Sequence, residues 1–549
     1  MKKNKAGLLA TKTIIVLMAI FLVLFFLIKY ICVFPFSIFS IDFWLTITVI
    51  AGLILILLVL TFLIEGYDCK GNLSFIKDFL KVFGIIVILL AAVVVIGGIS
   101  SLELFNAKDY QQLVTIEESN FEKDIPNVSE NFKQLSIVDQ KTAIKLGDRT
   151  IGGLKNSTWY EVDDEYNLIK YQGKYYRISE LNYGGFFKYN KAKKEGIPGY
   201  VLVDVTNQKA EYVELKTPIY YSPSGYFSKY LDRHIQQEYT TYILGESFFE
   251  IDEEGNPYYI TSVQTPTIGL FGGKKENSFI ITNASTGEMK EYKTEDLPEW
   301  VDHAYDLEYL MKVTEYNLKY VNGFWNTIFE KTGVNATSYN YETSYYNTAI
   351  NNKGEIVFYT GVTPINKSES NLGFILANPR TGKISYYNYP GAEETSAQDA
   401  AESLVQNLGF DATFPTIINV EGQATYYMLL KDKAGLVQRV SLCNVEDYTK
   451  VVQAKSLSET ISLYKEKIGL EVETQKEILT KTGKIESIYP IELEGFTYYY
   501  FTLKNDDNLY MSSIKNNNKQ VFLAKDVEVS IEYTESKIKG ECLVNKIKF

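Results

Sequence analysis

Two histidines, His234 and His303, are the only imidazoles among 549 residues. In "RHIQQE", His234 and Glu238 stand at i and i+4, on one face of any helix that forms there. In "WVDH", Asp302 and His303 are adjacent. Zinc needs several His, Cys or carboxylate ligands gathered tightly, and neither pair matches H-E-x-x-H. Both histidines therefore read as structural, exposed or hydrogen-bonded. "IDEEGNPYY", Ile251 to Tyr259, crowds carboxylates around a glycine as a calcium loop does. It lacks the spaced ligands and distal glutamate of an EF-hand, so a hairpin turn accounts for it better. Asp163 and Asp164 read as a solvated turn. No G-x-S-x-G, no S-x-x-K with its partners and no papain-like cysteine context occurs. "SPSG", Ser222–Gly225, reads as a turn before a helix cap. "GLFGGKK", Gly269–Lys275, lacks P-loop spacing and reads as a loop tip, with anion binding the alternative. No residue earns a catalytic, cofactor-binding or metal-ligating assignment, so no enzyme activity and no cofactor is expected.

The elements that would carry these residues begin with apolar runs. "IIVLMAIFLVLFFLI" (Ile14–Ile28), "FWLTITVIAGLILILLVLTFLI" (Phe43–Ile64) and "VFGIIVILLAAVVVIGGI" (Val82–Ile99) contain no charge. Each fits one transmembrane helix. The first lacks an A-x-A-like site, so it reads as a retained span and not a signal peptide. Lysines cluster in the N-terminal tail and at Lys70, Lys77 and Lys81, while the first loop region has only Lys29. The positive-inside rule then places the N-terminus in the cytoplasm and everything after about Leu104 outside. Gly84, Gly97 and Gly98 would allow close helix packing in the third span.

Charge divides the same way. The chain is -12 overall; residues 1–104 carry +3 and the remainder -15. That acidity disfavours nucleic acid, whose phosphates need clustered Lys and Arg. The remainder holds 41 of 43 tyrosines and reads as a β-rich surface region. Cys443 and Cys542 are candidates for a disulfide in an oxidising compartment, with two buried thiols the alternative.

Within it a hairpin recurs. "GYVLVDVTNQKAEYV" (Gly199–Val213), "SFIITNASTGEMKEY" (Ser278–Tyr292) and "GFILANPRTGKISYY" (Gly373–Tyr387) each place an apolar strand before Asp204, Asn283 or Asn378. A polar turn follows, with Gly287 and Gly382 in two copies and Gln208 in the third, then a strand reaching a tyrosine. Asx side chains bond the backbone two residues on, and Gly takes positive φ, which closes a hairpin. A glycine turn precedes each: Gly173, Gly255 and Gly354. Gly422 with Asn444 forms a fourth copy lacking Thr-Gly. Helices are expected over Ser224–Leu244, over Ser396–Gly409 with Ala400, Leu404 and Leu408 lining one face, and at Val301, Tyr305, Tyr309 and Val313. Trp300 and Trp325 bracket the last.

Helix, strand, G-x-x-x-Y/F, then a strand closing on [D/N]-x-x-T-G-[K/E] resembles PepSY-type domains, small α+β modules of bacterial secreted and membrane proteins. The resemblance is best over Ser396–Tyr448, Asp252–Tyr292 and Lys353–Tyr387. The whole chain also looks like a Gram-positive type of membrane protein with an N-terminal membrane bundle. The resemblance implies binding or inhibition, sometimes of peptidases, and transfers no catalytic residue. From Lys476 five short strands without a helix predict a small barrel of OB type; "YYYF", Tyr498–Phe501, reads as core and sheet face, not as a base-stacking platform.

The expected organisation is thus three transmembrane helices (1–104) followed by a β-rich α+β region. Its modules are 105–215, 216–300, 301–392 and 393–470, the last three PepSY-like, with a small all-β barrel at 471–549. The expected function is a non-enzymatic envelope binding or scaffold protein for a protein, peptide or wall polymer. An envelope hydrolase or its regulator, and an accessory subunit of a transport or assembly complex, are the alternatives.

Overall fold

The computed structural model describes residues 2–65, 73–128, 135–153, 156–338, 347–365, 370–470, 479–493, 496–513, 522–535 and 541–549. Lys70 and part of the second inter-helix loop lie outside the described residues. Three long helices open the chain: α1 (Lys2–Cys32), α2 (Ile41–Glu65) and α3 (Leu73–Ser100). Ile41–Leu60 and Leu80–Ser100 are long and apolar enough to cross a bilayer; Met18–Cys32 is a shorter apolar stretch. Aliphatic side chains cover their outer surfaces, with Ile88 67% exposed and Val23 66%. Apolar surface on that scale suits lipid better than water.

After Ser100 comes α4 (Glu103–Gln111), then four sheets, each built on an antiparallel meander of four strands; the first, third and fourth carry further edge strands, among them Ile116–Glu118, parallel to Ile384–Tyr387 in the third. The first meander comprises Asn167–Tyr171, Lys174–Tyr183, Ile197–Asp204 and Lys209–Ile219. The second comprises Ile243–Ile251, Pro257–Ile268, Gly272–Asn283 and Met289–Lys293. The third comprises Asn347–Ile350, Ile356–Pro364, Gly373–Ala377 and Ile384–Tyr387. The fourth comprises Thr416–Val420, Gln423–Lys431, Val437–Asn444 and Val451–Ala454.

One turn device closes the last hairpin of every meander. Asn283 Oδ1 accepts the backbone N–H of Ser285 and Thr286, at 3.0 and 2.9 Å. Asn378 Oδ1 does the same for Arg380 and Thr381, and Asn444 Oδ1 for Glu446 and Asp447. Asp204 Oδ1 accepts from Thr206 N at 2.8 Å. Gly287 and Gly382 take φ of +81° and +70°, and Gln208 takes +56° at the same place in the first meander. The first turn of the second meander works similarly: Asp252 Oδ1 accepts from Glu254 N and Asn256 N. "IDEEGNPYY" is therefore a hairpin turn.

A lone meander leaves a face and two edges uncovered. Here consecutive meanders touch, and the fourth returns to the first. Gln172 N donates to Glu253 between the first and second. His303, in the segment after the second, packs against Phe358 of the third. Asn347 Nδ2 donates to the Phe414 carbonyl between the third and fourth. Lys431 pairs with Asp139, the cap of the helix Gln140–Asp148 packed on the first, at 2.6 Å. Ile178, Val201, Phe249 and Tyr259 form one core across the first pair; Tyr359, Phe374, Ala424 and Tyr426 form another across the second. Where Leu168, Ile350 and Ile417 converge, only about 50 Å³ stays open.

The helices differ from expectation for identifiable reasons. Over Ser224–Leu244 the α-helix is confined to Leu231–Glu238, because Ile243 onward pairs as a strand with Pro257–Ile268. The helix near Ser396 spans Glu394–Ser403, with Glu393 at its cap. Its buried side carries Ala397 and Ala401, with Val405 just beyond, while Leu404 and Leu408 are exposed. Small side chains let this helix sit close on the fourth meander. The helix expected from Val301 starts at Leu307, capped by Asp306. Upstream, the Arg380 guanidinium binds the carbonyls of Leu297, Pro298, Glu299 and Val301. Those carbonyls are then occupied by a side chain of the third meander and not by a helix ladder.

Residues Leu470–Phe549 form a separate compact unit. Its strands, Leu479–Leu493, Phe496–Leu503, Leu509–Ser513, Glu528–Glu535 and Glu541–Lys548, close a five-stranded barrel. Phe501, from "YYYF", is fully buried and stacks with Tyr510. Cys443 and Cys542 are buried thiols in separate cores, not a disulfide.

Arg380→Ala removes the donor from four carbonyls at once and should cost about 3 kcal/mol, read as a denaturant midpoint shift. Gln208→Gly should stabilise by up to about 1 kcal/mol, by relieving the left-handed backbone at a non-glycine; an unchanged or lower melting temperature would contradict that.

Candidate functional site: an acidic vestibule beside the apolar helices

The hairpin tip at 269–273 lies against the end of α3. A Cβ on Gly269 would meet the Ser100 carbonyl, and one on Gly97 would meet the Phe271 ring. Phe271 N donates to Ser101 Oγ at 2.9 Å, and Tyr110 Oη donates to the Ser101 carbonyl. "GLFGGKK" is therefore a docking tip whose glycines permit backbone contact, and Gly97 packs on this tip. Gly84 faces Leu55 of α2, and nothing lies within 4 Å of the Cβ position of Gly98. At the other side, Phe36 N, in the α1–α2 connector, donates to the Thr240 carbonyl at 2.7 Å. Arg233 Nε donates to the Tyr30 carbonyl at 2.8 Å.

Between these two attachments the connector and the first two meanders enclose about 970 Å³. The lining is strongly acidic. Asp42 comes from α2, Asp163, Glu165 and Glu180 from the first meander and its approach, and Asp232, Glu246, Asp306 and Glu308 from the second meander and its flanks. Among the described residues, Lys274 is the one lysine or arginine of the lining. Burial lowers its ammonium pKa, with Asp42 opposing.

Glu180 is the most enclosed of these acids, 6% exposed. Its Oε2 completes no hydrogen bond with a protein donor; the Tyr259 hydroxyl stands nearby without hydrogen-bond geometry. Burial first, and the Asp163 charge second, hold its carboxyl well above the usual range. Burial likewise raises Glu165, with Asp163 adding, and Glu246 and Asp306. Behind the wall, Glu276 accepts from Ser262 Oγ at 2.8 Å and from Asp306 N at 3.2 Å. Burial pushes its carboxyl up to about 7.

No group of three His, Cys, Asp or Glu able to hold a metal ion occurs among the described residues. The carboxylates are spread around a chamber, an arrangement suited to a ligand carrying several separated positive charges.

The histidines sit elsewhere. His234 Nε2 donates to the Gly287 carbonyl at 2.7 Å and its ring lies 4.1 Å from that of Tyr221, so it braces a hairpin. His303 Nδ1 donates to Glu250 Oε1 at 3.0 Å. Glu250 also accepts the backbone N–H of Asp302 and His303, and Asp302 Oδ2 accepts Lys170 N at 2.6 Å. Burial and then the Glu250 charge raise Asp302 to about 7. This cluster joins the first two meanders as a brace. Trp300 packs on Tyr258, while Trp325 is exposed. Asp163, expected in a solvated turn, instead lines the vestibule and accepts from Glu165 N and Asn182. Sequence reading missed the vestibule because its acids come from segments over 260 residues apart, Asp42 to Glu308. The acidic balance of the chain was the available signal.

Glu276 stabilises the fold while protonated, and that contribution is lost as pH rises from the ordinary glutamate range through about 7. Glu276→Gln should therefore gain about 2 kcal/mol relative to wild type between pH 5 and pH 8. Denaturant titrations at the two pH values measure it, and a pH-independent difference would refute it.

No family model and no curated protein matches the chain. Among solved structures, an apocarotenoid oxygenase mutant from Synechocystis is similar over 67% of this chain and 62% of that one, at 9% identity. Its TM-score of 0.14 is too low to carry an argument about fold or activity.

Proposed function

We propose that this chain is a membrane-anchored, extracytoplasmic binding protein of the cell envelope, without catalytic activity, that takes a positively charged peptide segment into its vestibule. The observation that carries the reading is the chamber itself: among the described residues, eight carboxyl side chains against one lysine, around about 970 Å³, beside the apolar helices. A cavity of that size accommodates several residues of extended peptide. Placement outside the cell follows from the lysine distribution and the positive-inside rule. The PepSY-like reading of the meanders agrees with a binding role. The barrel is read as OB-like because its strands run in the order first, second, third, fifth, fourth, with the third and fifth parallel.

An accessory role in a membrane complex is a second reading, supported by the uncovered surfaces of α2 and α3. Ile56 and Ile88 are exposed, and nothing lies within 4 Å of the Cβ position of Gly98.

The test is titration of the detergent-solubilised full chain with fluorescent tetralysine and tetraglutamate peptides. Tetralysine should bind, more weakly as salt rises. Asp232→Asn with Glu246→Gln should weaken it about tenfold, the equivalent of 1.4 kcal/mol. Affinity should fall as pH is lowered, because carboxyls raised by burial, such as Glu246, take up protons before ordinary glutamates do. Equal binding of tetraglutamate, or an unchanged Kd in the double variant, would sink the proposal.

A further inference from the structure

Between residues 106 and 470, the exposed phenylalanine and tryptophan side chains among the described residues are Phe186, Phe187, Phe227, Trp325 and Phe329. They fall into two clusters, and each is tied to the end of a membrane helix. In the first, Arg233 donates to the Tyr30 carbonyl in the last turn of α1 and to the Phe227 carbonyl at 2.6 Å. Its guanidinium lies 4.3 Å from the Tyr30 ring centre. The Phe227 ring contacts Phe186, which contacts Phe187, itself 81% exposed. In the second, Tyr320 Oη donates to Glu103, three residues past the end of α3. From Tyr320 a run of ring contacts passes through Phe324 and Trp325 to Phe329, which is 74% exposed.

The first cluster also carries positive charge. Lys188, Lys191, Lys193 and Lys194 follow Phe187 directly, in a chain whose net charge is -12. Exposed aromatics with adjacent lysines form the composition of a surface that enters the headgroup layer of an anionic bilayer. Aromatic side chains favour that layer because an apolar ring and a polar or cationic neighbour are both accommodated there.

We infer that the two clusters, Phe186–Phe187–Phe227 and Trp325–Phe329, rest in the outer headgroup layer of the membrane that the helices span. They hold the meander region against the bilayer, with the vestibule directly above it. The inference rests on the membrane-anchored reading. Its partner is the lipid surface, with anionic headgroups at the lysine-bearing cluster. The two clusters are tied to the α1 end and to the segment just past the α3 end.

The test uses the full chain with Cys32 and Cys69 replaced by serine, reconstituted in nanodiscs of phosphatidylglycerol and phosphatidylcholine. An environment-sensitive dye is attached at Phe187→Cys, Phe329→Cys, Tyr448→Cys or Ile56→Cys, one at a time. The dyes at 187 and 329 should lose emission to lipids doxylated near the headgroup and be spared by aqueous iodide. The dye at 448 should show the reverse. Iodide quenching at 187 and 329 equal to that at 448 would overturn the inference. Protection from both quenchers would also overturn it, in favour of a protein contact. The dye at 56 separates the two levels of failure: if doxyl lipid does not quench it either, the membrane anchoring itself is wrong.

Discussion

Backbone-to-backbone contact between the end of α3 and the 269–273 hairpin governs how the rest of the molecule is arranged around its cavity. It requires glycine at 97, 269 and 272, since a Cβ at any of them would meet Phe271, Ser100 or Tyr110. Paired with the Phe36–Thr240 bond at the connector, it gives the meander region two attachments to the helices, not one flexible tether. Two attachments leave an open cavity between them. The acidic chamber is that space, and its walls inherit whatever side chains the connector and two meanders present there.

The circuit of meanders supplies the rigidity that such walls need. The last hairpin of each meander is held by an Asx side chain that bonds two backbone N–H groups at Asn283, Asn378 and Asn444 and one at Asp204, a local device that costs no long-range contact. The joins between meanders are different in kind. Arg380 reaches from one turn into four carbonyls of the preceding segment, and Glu250 collects two N–H groups and an imidazole. Glu250 is buried and Arg380 half-buried, and their partners come from other segments packed against them. Removing one partner would leave the others unsatisfied, which is why such joins specify one arrangement among many. Burial in turn raises the carboxyls nearby, so the same packing that fixes the walls also makes the charge of the chamber sensitive to pH.

What was legible in the chain was local. Charge-free runs marked the apolar helices because their length and composition are what a bilayer core favours. Asp204, Asn283, Asn378 and Asn444 marked the hairpins because their turn chemistry needs only the next three residues. The spacing of strands after Lys476 marked the barrel for the same reason. Helix boundaries were less legible. Leu404 and Leu408 have the periodicity of an inward face, yet alanines are buried and the leucines are exposed, because the distance to the sheet beneath is set by tertiary packing. Tyr305 has the spacing to continue a helix, but the Arg380 guanidinium had already taken the carbonyls before it.

The sequence by itself determined the apolar helices, the repeated hairpin, the terminal barrel and the acidic balance of the chain. Each depends on neighbours a few residues away or on composition. Only the tertiary structure decided where the acidity gathers and what Arg380, Glu250 and the Gly269–Gly273 tip are for. Asp42, Glu180 and Glu308 carry no common motif, and nothing in their spacing brings them together. They share a cavity because the meanders close on one another and dock at two helix ends, a long-range constraint that no local pattern encodes.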